Sequence, residues 1–129
     1  MDEMVGIDYK EDALTDLIIK CIIKVHKTLG PGFLENIYRK ALFIELRNNN
    51  LEVENEKEIK IFYDNEEIGI HRLDILVGNK VIVELKTVES LHKSHYAQIR
   101  SYLKATNLTI GILVNFAGDK ADFRRIINV

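Results

Sequence analysis

Residues 108–116 read LTIGILVNF, a nearly unbroken apolar run. A strand with no polar face has to be covered on both sides, so this stretch belongs inside a sheet with other elements packed on it. Before it lies KVIVELKTV (80–88), a second strand-like run, and between the two the period changes. From Glu89 to about Thr106 the apolar anchors Leu91, Ile99 and Leu103 fall at helical spacing. Two apolar strands joined through a helix point to a mixed sheet with helices packed on it.

The rest of the chain fits that frame. Leu14, Leu17, Ile18, Cys21, Ile22, Val25 and Leu29 trace one face of an amphipathic helix, which Gly30 and Pro31 stop. Phe33 to about Asn48 reads as a second helix, ending in Asn48-Asn49-Asn50. LEVENE, KEIKIFY and EIGIHRLDILV then alternate like strands, with turn signals at Asp64-Asn65 and Gly78-Asn79. FRRIINV closes the chain as an edge strand. The expected order is ααβββ(β)αββ, an α/β (α+β) arrangement. No repeat or linker divides it, and 129 residues suit one compact domain over 1–129, with 1–10 as a flexible N-terminal segment.

Charge and cysteine content narrow the function. The formal net charge is −2, but it is unevenly placed. Residues 1–70 carry 9 Lys/Arg against 15 Asp/Glu, and residues 71–129 carry 9 against 5. The C-terminal half can therefore offer a basic face to a polyanion. Cys21 is the single cysteine, which excludes an internal disulfide and a cysteine metal cluster, and its apolar neighbours mark it as a buried thiol. The start, MDEMVGIDYKED, lacks the basic and apolar parts of a signal peptide, and LIIKCIIKV is interrupted by Lys20 and Lys24. These features read as a soluble cytoplasmic protein.

Chemistry concentrates in DILVGNKVIVELK, residues 74–86. Glu84 and Lys86 share a strand face, and Arg72 shares one with Asp74. Whether Asp74 meets Glu84 depends on the turn. A two-residue Gly78-Asn79 turn pairs Asp74 with Val83 and separates the carboxylates. A three-residue loop, 78–80, pairs Val77 with Val81 and Asp74 with Glu84. Read alone, the charges are the solvated face of an antiparallel sheet. The apolar setting of Glu84 and Lys86 argues instead for burial, which has an energetic cost unless the charges are used. Paired carboxylates repel unless positive charge lies between them. Their hard oxygens suit Mg²⁺ or Mn²⁺, and a lysine alongside can orient a water or stabilise a phosphoryl transition state.

With these residues in view, the chain resembles the PD-(D/E)XK nuclease superfamily through Asp74 and Glu84-Leu85-Lys86. More narrowly it resembles the GxxExxY family within it, through Gly32, Glu35 and Tyr38. Further matches follow in order: His26-Lys27, Arg72-Leu73-Asp74, His95 to Gln98, Tyr102-Leu103-Lys104, Leu113-Val114-Asn115-Phe116 and Arg125-Ile126. The resemblance implies a restriction-endonuclease-like core and metal-dependent phosphodiester chemistry. It casts Asp74 and Glu84 as metal ligands, Lys86 as the catalytic lysine, and Gln98 and Tyr102 as the helix element of RecB-like nucleases. Glu35 matches an extra carboxylate on the metal side.

Other polar residues carry weaker signals. Glu35 and Tyr38 share a helical face, as do His95, Gln98 and Tyr102. His92 and His95 lack the companion His or Cys of a zinc site. His26 sits where a histidine favours a helix C-terminus. Arg72, Lys93, His95, Arg100, Lys104, Arg124 and Arg125 are candidates for a nucleic-acid path, although charged residues more often form a solvated surface. No stripe of interleaved basic and aromatic residues marks single-strand stacking. The expected activity is hydrolysis of nucleic acid, DNA before RNA, with Mg²⁺ or Mn²⁺. The competing reading is a non-catalytic nucleic-acid-binding or assembly module on the same fold. The small core leaves room for a homodimer.

Overall fold

The computed structural model describes residues 9–128, with side chains from residue 13. Helices α1 (Tyr9–Leu29) and α2 (Glu35–Asn48) come first. Strands β1 (Val53–Tyr63), β2 (Glu66–Val77) and β3 (Val81–Lys86) follow, then α3 (Lys93–Thr106), β4 (Ile110–Asn115) and β5 (Asp122–Ile127). Tyr9 and Lys10 already belong to α1, and the rest of the expected flexible segment lies outside the described residues.

The five strands form one sheet in the order β1-β2-β3-β4-β5. Neighbours are antiparallel except β3 and β4, which run parallel across the α3 connection. β4 is buried at every position, as its apolar run requires. On one face Ile75, Val77, Val83, Leu85, Ile112 and Val114 pack against Ile18, Ile22 and Leu42 of α1 and α2. On the other, Leu76, Ile82 and Leu113 pack against Ile99 and Leu103 of α3. Gly111 lets α3 approach closely, because a Cβ there would lie 2.7 Å from the Ile99 side chain.

The structure refines three boundaries. LEVENE and KEIKIFY are one strand, β1, with a left-handed residue at Glu56 (φ 52°) marking the break between them. The second helix begins at Glu35 rather than Phe33. Gly32 takes a φ of 107°, which suits glycine alone among common residues, and Leu34 is still extended. The third helix begins at Lys93 rather than Glu89. Asn115 holds Val88 at both its amide (3.1 Å) and its carbonyl (2.8 Å), so the chain stays extended past the sheet. His92 then caps α3, its amide donating to His95 Nδ1 at 3.0 Å.

Beyond its contact with β3, the β1–β2 ladder continues alone to a tight turn at Asp64-Asn65, where both residues have positive φ. This two-stranded arm exposes Phe62, Tyr63, Ile68 and Ile70.

Candidate active site

The turn between β2 and β3 decides the site. Gly78 and Asn79 both have positive φ, and Lys80 N–H donates to the Val77 carbonyl at 3.0 Å. Gly78-Asn79-Lys80 is thus a three-residue loop, and Val77 pairs with Val81, Leu76 with Ile82 and Ile75 with Val83. The next step in that register sets Asp74 across from Glu84.

At that step the backbone ladder stops and side chains take over. The Asp74 amide donates to Glu84 Oε1 at 3.0 Å, and the Leu85 amide donates to Asp74 Oδ2 at 2.9 Å. Each carboxylate therefore satisfies the opposite strand where the strands part. The same residue is released on its other side: β1 and β2 pair at Asn55 with Ile75 and at Lys57 with Leu73, but Glu56 and Asp74 between them do not pair. Arg39 of α2 explains how β1 holds this break. It is 92% buried as a residue, being 8% exposed, and donates to Asn36 and Asn55 Oδ1, the latter at 2.8 Å. It also lies 3.4 Å from the Glu56 carboxylate.

Glu84 is only 3% exposed. Burial, reinforced by the Asp74 charge and side chain, pushes its pKa up to about 9, with the Asp74 amide and then Lys86 acting in the opposite direction. Glu35, in the first turn of α2, feels the same field: burial first and Asp74 second raise its pKa, while Lys86 and Arg39 lower it. Lys86 Nζ donates to Gln98 Oε1 at 2.8 Å, linking the end of β3 to α3. Gln98 also hydrogen-bonds the Tyr102 phenol, whose pKa burial and the two carboxylates push up to about 12. The His71 ring stands 4.7 Å from that of Tyr102.

The fold thus gathers Glu35, Asp74, Glu84, Lys86, Gln98 and Tyr102 around the fork between β2 and β3. Other candidates have different surroundings. Tyr38 is fully buried beneath the chain that leads into α2. Its hydroxyl donates to the Gly30 carbonyl at 2.5 Å and accepts from the Phe33 amide, while its ring stacks on Phe116. Gly32 and Tyr38 therefore shape the turn that leads to Glu35. Arg72 faces Glu58 across the arm at 2.9 Å rather than a site carboxylate. His92 and His95 serve the α3 cap. Burial, then the Lys86 charge, depresses the His95 pKa. His26 Nε2 lies 2.8 Å from the Gly118 carbonyl, fastening α1 to the loop after β4. Lys93 and Arg100 are exposed on α3, with Arg100 over the Tyr96 ring. Arg124 pairs with Asp122, and Arg125 with Asp16. Arg39, Asn55 and Glu56 were not anticipated from the sequence. The one available signal was that Arg39 lies one helical turn after Glu35.

Among the described residues, no three His, Cys, Asp or Glu side chains form a ligand set able to hold a metal by themselves. The carboxyl pair is nevertheless chemically suited to a divalent cation. Burial and the neighbouring Asp74 charge together favour the protonated form of Glu84, and a cation between the two carboxyls would offset both. Mg²⁺ typically takes one or two carboxylates and fills its remaining positions with water and phosphate.

The PD-(D/E)XK nuclease superfamily matches the chain over residues 12–126, and the chain belongs to that superfamily. The fold is that expected of a restriction-endonuclease-like core. Among solved structures, the crystal structure of SSO0001 is similar with a TM-score of 0.59 at 24% identity. The match covers 72% of this chain and 49% of that one, so the chain spans about half the length of its structural relative. A search of curated proteins gave no significant match. Among the described residues, no helix is long and apolar enough to cross a membrane.

Proposed function

We propose that this chain is a divalent-metal-dependent nuclease of the GxxExxY type that hydrolyses phosphodiester bonds, with DNA as its substrate. The observation that carries the reading is the reciprocal pair at the fork, Asp74 and Glu84, with Lys86 two residues on along the same strand. Superfamily membership supports the nuclease chemistry. Asp74 and Glu84 would hold Mg²⁺ or Mn²⁺, with Glu35 supporting from α2. The cation would supply Lewis acidity toward the phosphate and its water.

The chain's own groups supply the rest. Gln98 Oε1 holds the Lys86 ammonium at 2.8 Å and keeps it aimed from the end of β3. There Lys86 orients the attacking water and offsets the charge that grows on the phosphate oxygens. Tyr102 fixes the Gln98 amide, so that the Gln98 oxygen points to Lys86. We further propose a single domain over 1–129, a cytoplasmic setting in keeping with the lone buried thiol of Cys21, and a homodimer as the working assembly.

The test is incubation with DNA panels in Mg²⁺ or Mn²⁺. Cleavage should vanish without metal and in Asp74→Ala, and should fall about 10²- to 10³-fold in Lys86→Ala, the usual effect of losing one transition-state donor. Cleavage that survives both substitutions would belong to a contaminant. The second reading is a nucleic-acid-binding or assembly module that performs no chemistry. It is favoured by one observation: Asp74 and Glu84 each accept a backbone amide across the fork, which is a structural use for both carboxylates. Calorimetric titration separates the two, because a module without chemistry would show no heat with millimolar Mg²⁺ or Mn²⁺, with or without DNA.

A further inference from the structure

A cleft between the arm and α3 begins where the fork residues end. It encloses about 460 Å³ and is lined by Lys60, Phe62 and His71 of the arm and by Ser101 and Lys104 of α3, among others. His71 links it to the site, since its ring lies 4.7 Å from that of Tyr102. His71 is three residues before Asp74 on β2, or about 10 Å at the usual strand rise. Ser101 and Lys104 flank Tyr102 on α3, so one helix serves both the site and the cleft.

The lining has a distinct chemistry. Phe62 is 59% exposed and belongs to the exposed apolar set of the arm, with Tyr63, Ile68 and Ile70, the kind of patch that marks a binding surface. Lys60 and Lys104 line the same cleft, one from each wall. Lys60 lies 3.7 Å from Glu67, but both are exposed, and such a pair is weak enough to yield to a phosphate. An exposed ring flanked by lysines is the arrangement that single-stranded nucleic acid uses, with bases stacked on the ring and phosphates on the cations. The volume falls in the range of about 300–1,000 Å³ typical of small-ligand pockets, which suits a nucleotide unit better than a duplex.

We propose that this cleft is a subsite for an unpaired nucleic-acid strand adjoining the scissile bond. Phe62 stacks a base, and Lys60 and Lys104 take phosphates. The inference rests on the nuclease reading of the fork and gives its substrate a shape: ends, flaps or gaps with unpaired nucleotides, in preference to blunt duplex.

The test uses fluorescence anisotropy of the full chain in EDTA, so that binding is read without cleavage. The probes are a labelled single-stranded DNA, the same sequence as RNA, and a blunt DNA duplex. The single strand should bind more tightly than the duplex. Phe62→Ala should weaken it about 5- to 150-fold, the range for one stacked base, and Phe62→Trp should restore it. The double variant Lys60→Ala/Lys104→Ala should lower the slope of log K against log salt by about 1.4, or 0.7 per phosphate. Lys27→Ala/Lys120→Ala removes the same charge from a cavity of about 470 Å³ between α1 and the end of the sheet, and should leave binding unchanged. All these side chains are exposed or line open clefts, and unaltered melting curves will show that the variants fold.

Equal loss from the two lysine pairs, or full binding by Phe62→Ala, would overturn the subsite. Preference for the duplex would overturn it too. Cleavage in Mg²⁺ by variants that bind as wild type would reject the subsite and leave the nuclease reading standing. Cleft-dependent binding with no cleavage under any metal would do the reverse.

Discussion

Glu84 shows how one buried carboxyl ties stability to chemistry. Its ordinary value of 4.5 is pushed up to about 9, so between these limits the folded protein holds a proton that the unfolded chain has lost. By linkage, its contribution to stability is greatest below pH 4.5 and is lost as pH rises through about 9. In metal-free protein, the difference in melting temperature between wild type and Glu84→Gln should therefore grow from pH 5 to pH 9 in favour of the variant. Millimolar Mg²⁺ should narrow that gap for wild type and release protons, because metal ligands bind deprotonated. Calorimetric melts across this range would check both effects, and a flat difference would contradict the raised pKa. Gln98 acts on Lys86 by holding it. Gln98→Leu should lower kcat about 10- to 100-fold, as loss of an orienting partner does, while substrate KM stays nearly constant. Glu84 and Lys86 stood out in the sequence as charges in an apolar strand, whereas Gln98 entered only through the family resemblance. Arg39 and Glu56 did not stand out. The sixteen positions from Arg39 to Asn55 are bridged only by the folded α2–β1 packing, and a left-handed glutamate gives no local sign of itself.

At the level of elements, the strands of the hairpin could be read but its register could not, since Gly78-Asn79 fits a two-residue turn as well as the three-residue loop that forms. Gly78 and Asn79 permit two successive positive φ values, and the burial of Val77, Val81 and Val83 fixes the faces. The start of α2 was harder to place. Phe33 and Leu34 look helical by type, but Tyr38 holds the preceding turn through its hydroxyl. Tyr38→Phe keeps the ring on Phe116 and removes that tie. It should cost about 1 kcal/mol in denaturant unfolding, the usual net worth of one hydrogen bond, and should loosen the placement of Glu35. The contact between α3 and β4 depends on absent atoms. Gly111→Ala would press a methyl onto Ile99 and should cost about 1–3 kcal/mol, the typical penalty for overpacking. Combining it with Ile99→Val, which removes the nearest atom, should recover part of the loss. A fully additive double mutant would show that α3 is not seated as described.

Across the whole molecule, the uneven charge noted in the sequence takes a spatial form. The basic half of the chain supplies β3, α3, β4 and β5, so Lys86 and Lys104 stand on consecutive elements around the fork and cleft. The acidic half supplies α1, α2 and β1, and so surrounds the site from the other side through Glu35. The fold class could be read because apolar periodicity reports directly on layers. The cleft could not, because Phe62 and Lys104 are forty-two positions apart and become neighbours only when the arm and α3 pack. At Asp74, β2 has neither a paired partner in β1 nor a ladder step to β3. The β1–β2 ladder resumes on either side of that step, so the place of Asp74 is set by its two cross-strand bonds to Glu84 and Leu85 and not by backbone pairing of its own. Whatever loosens those two bonds frees the carboxylate without unpairing the sheet.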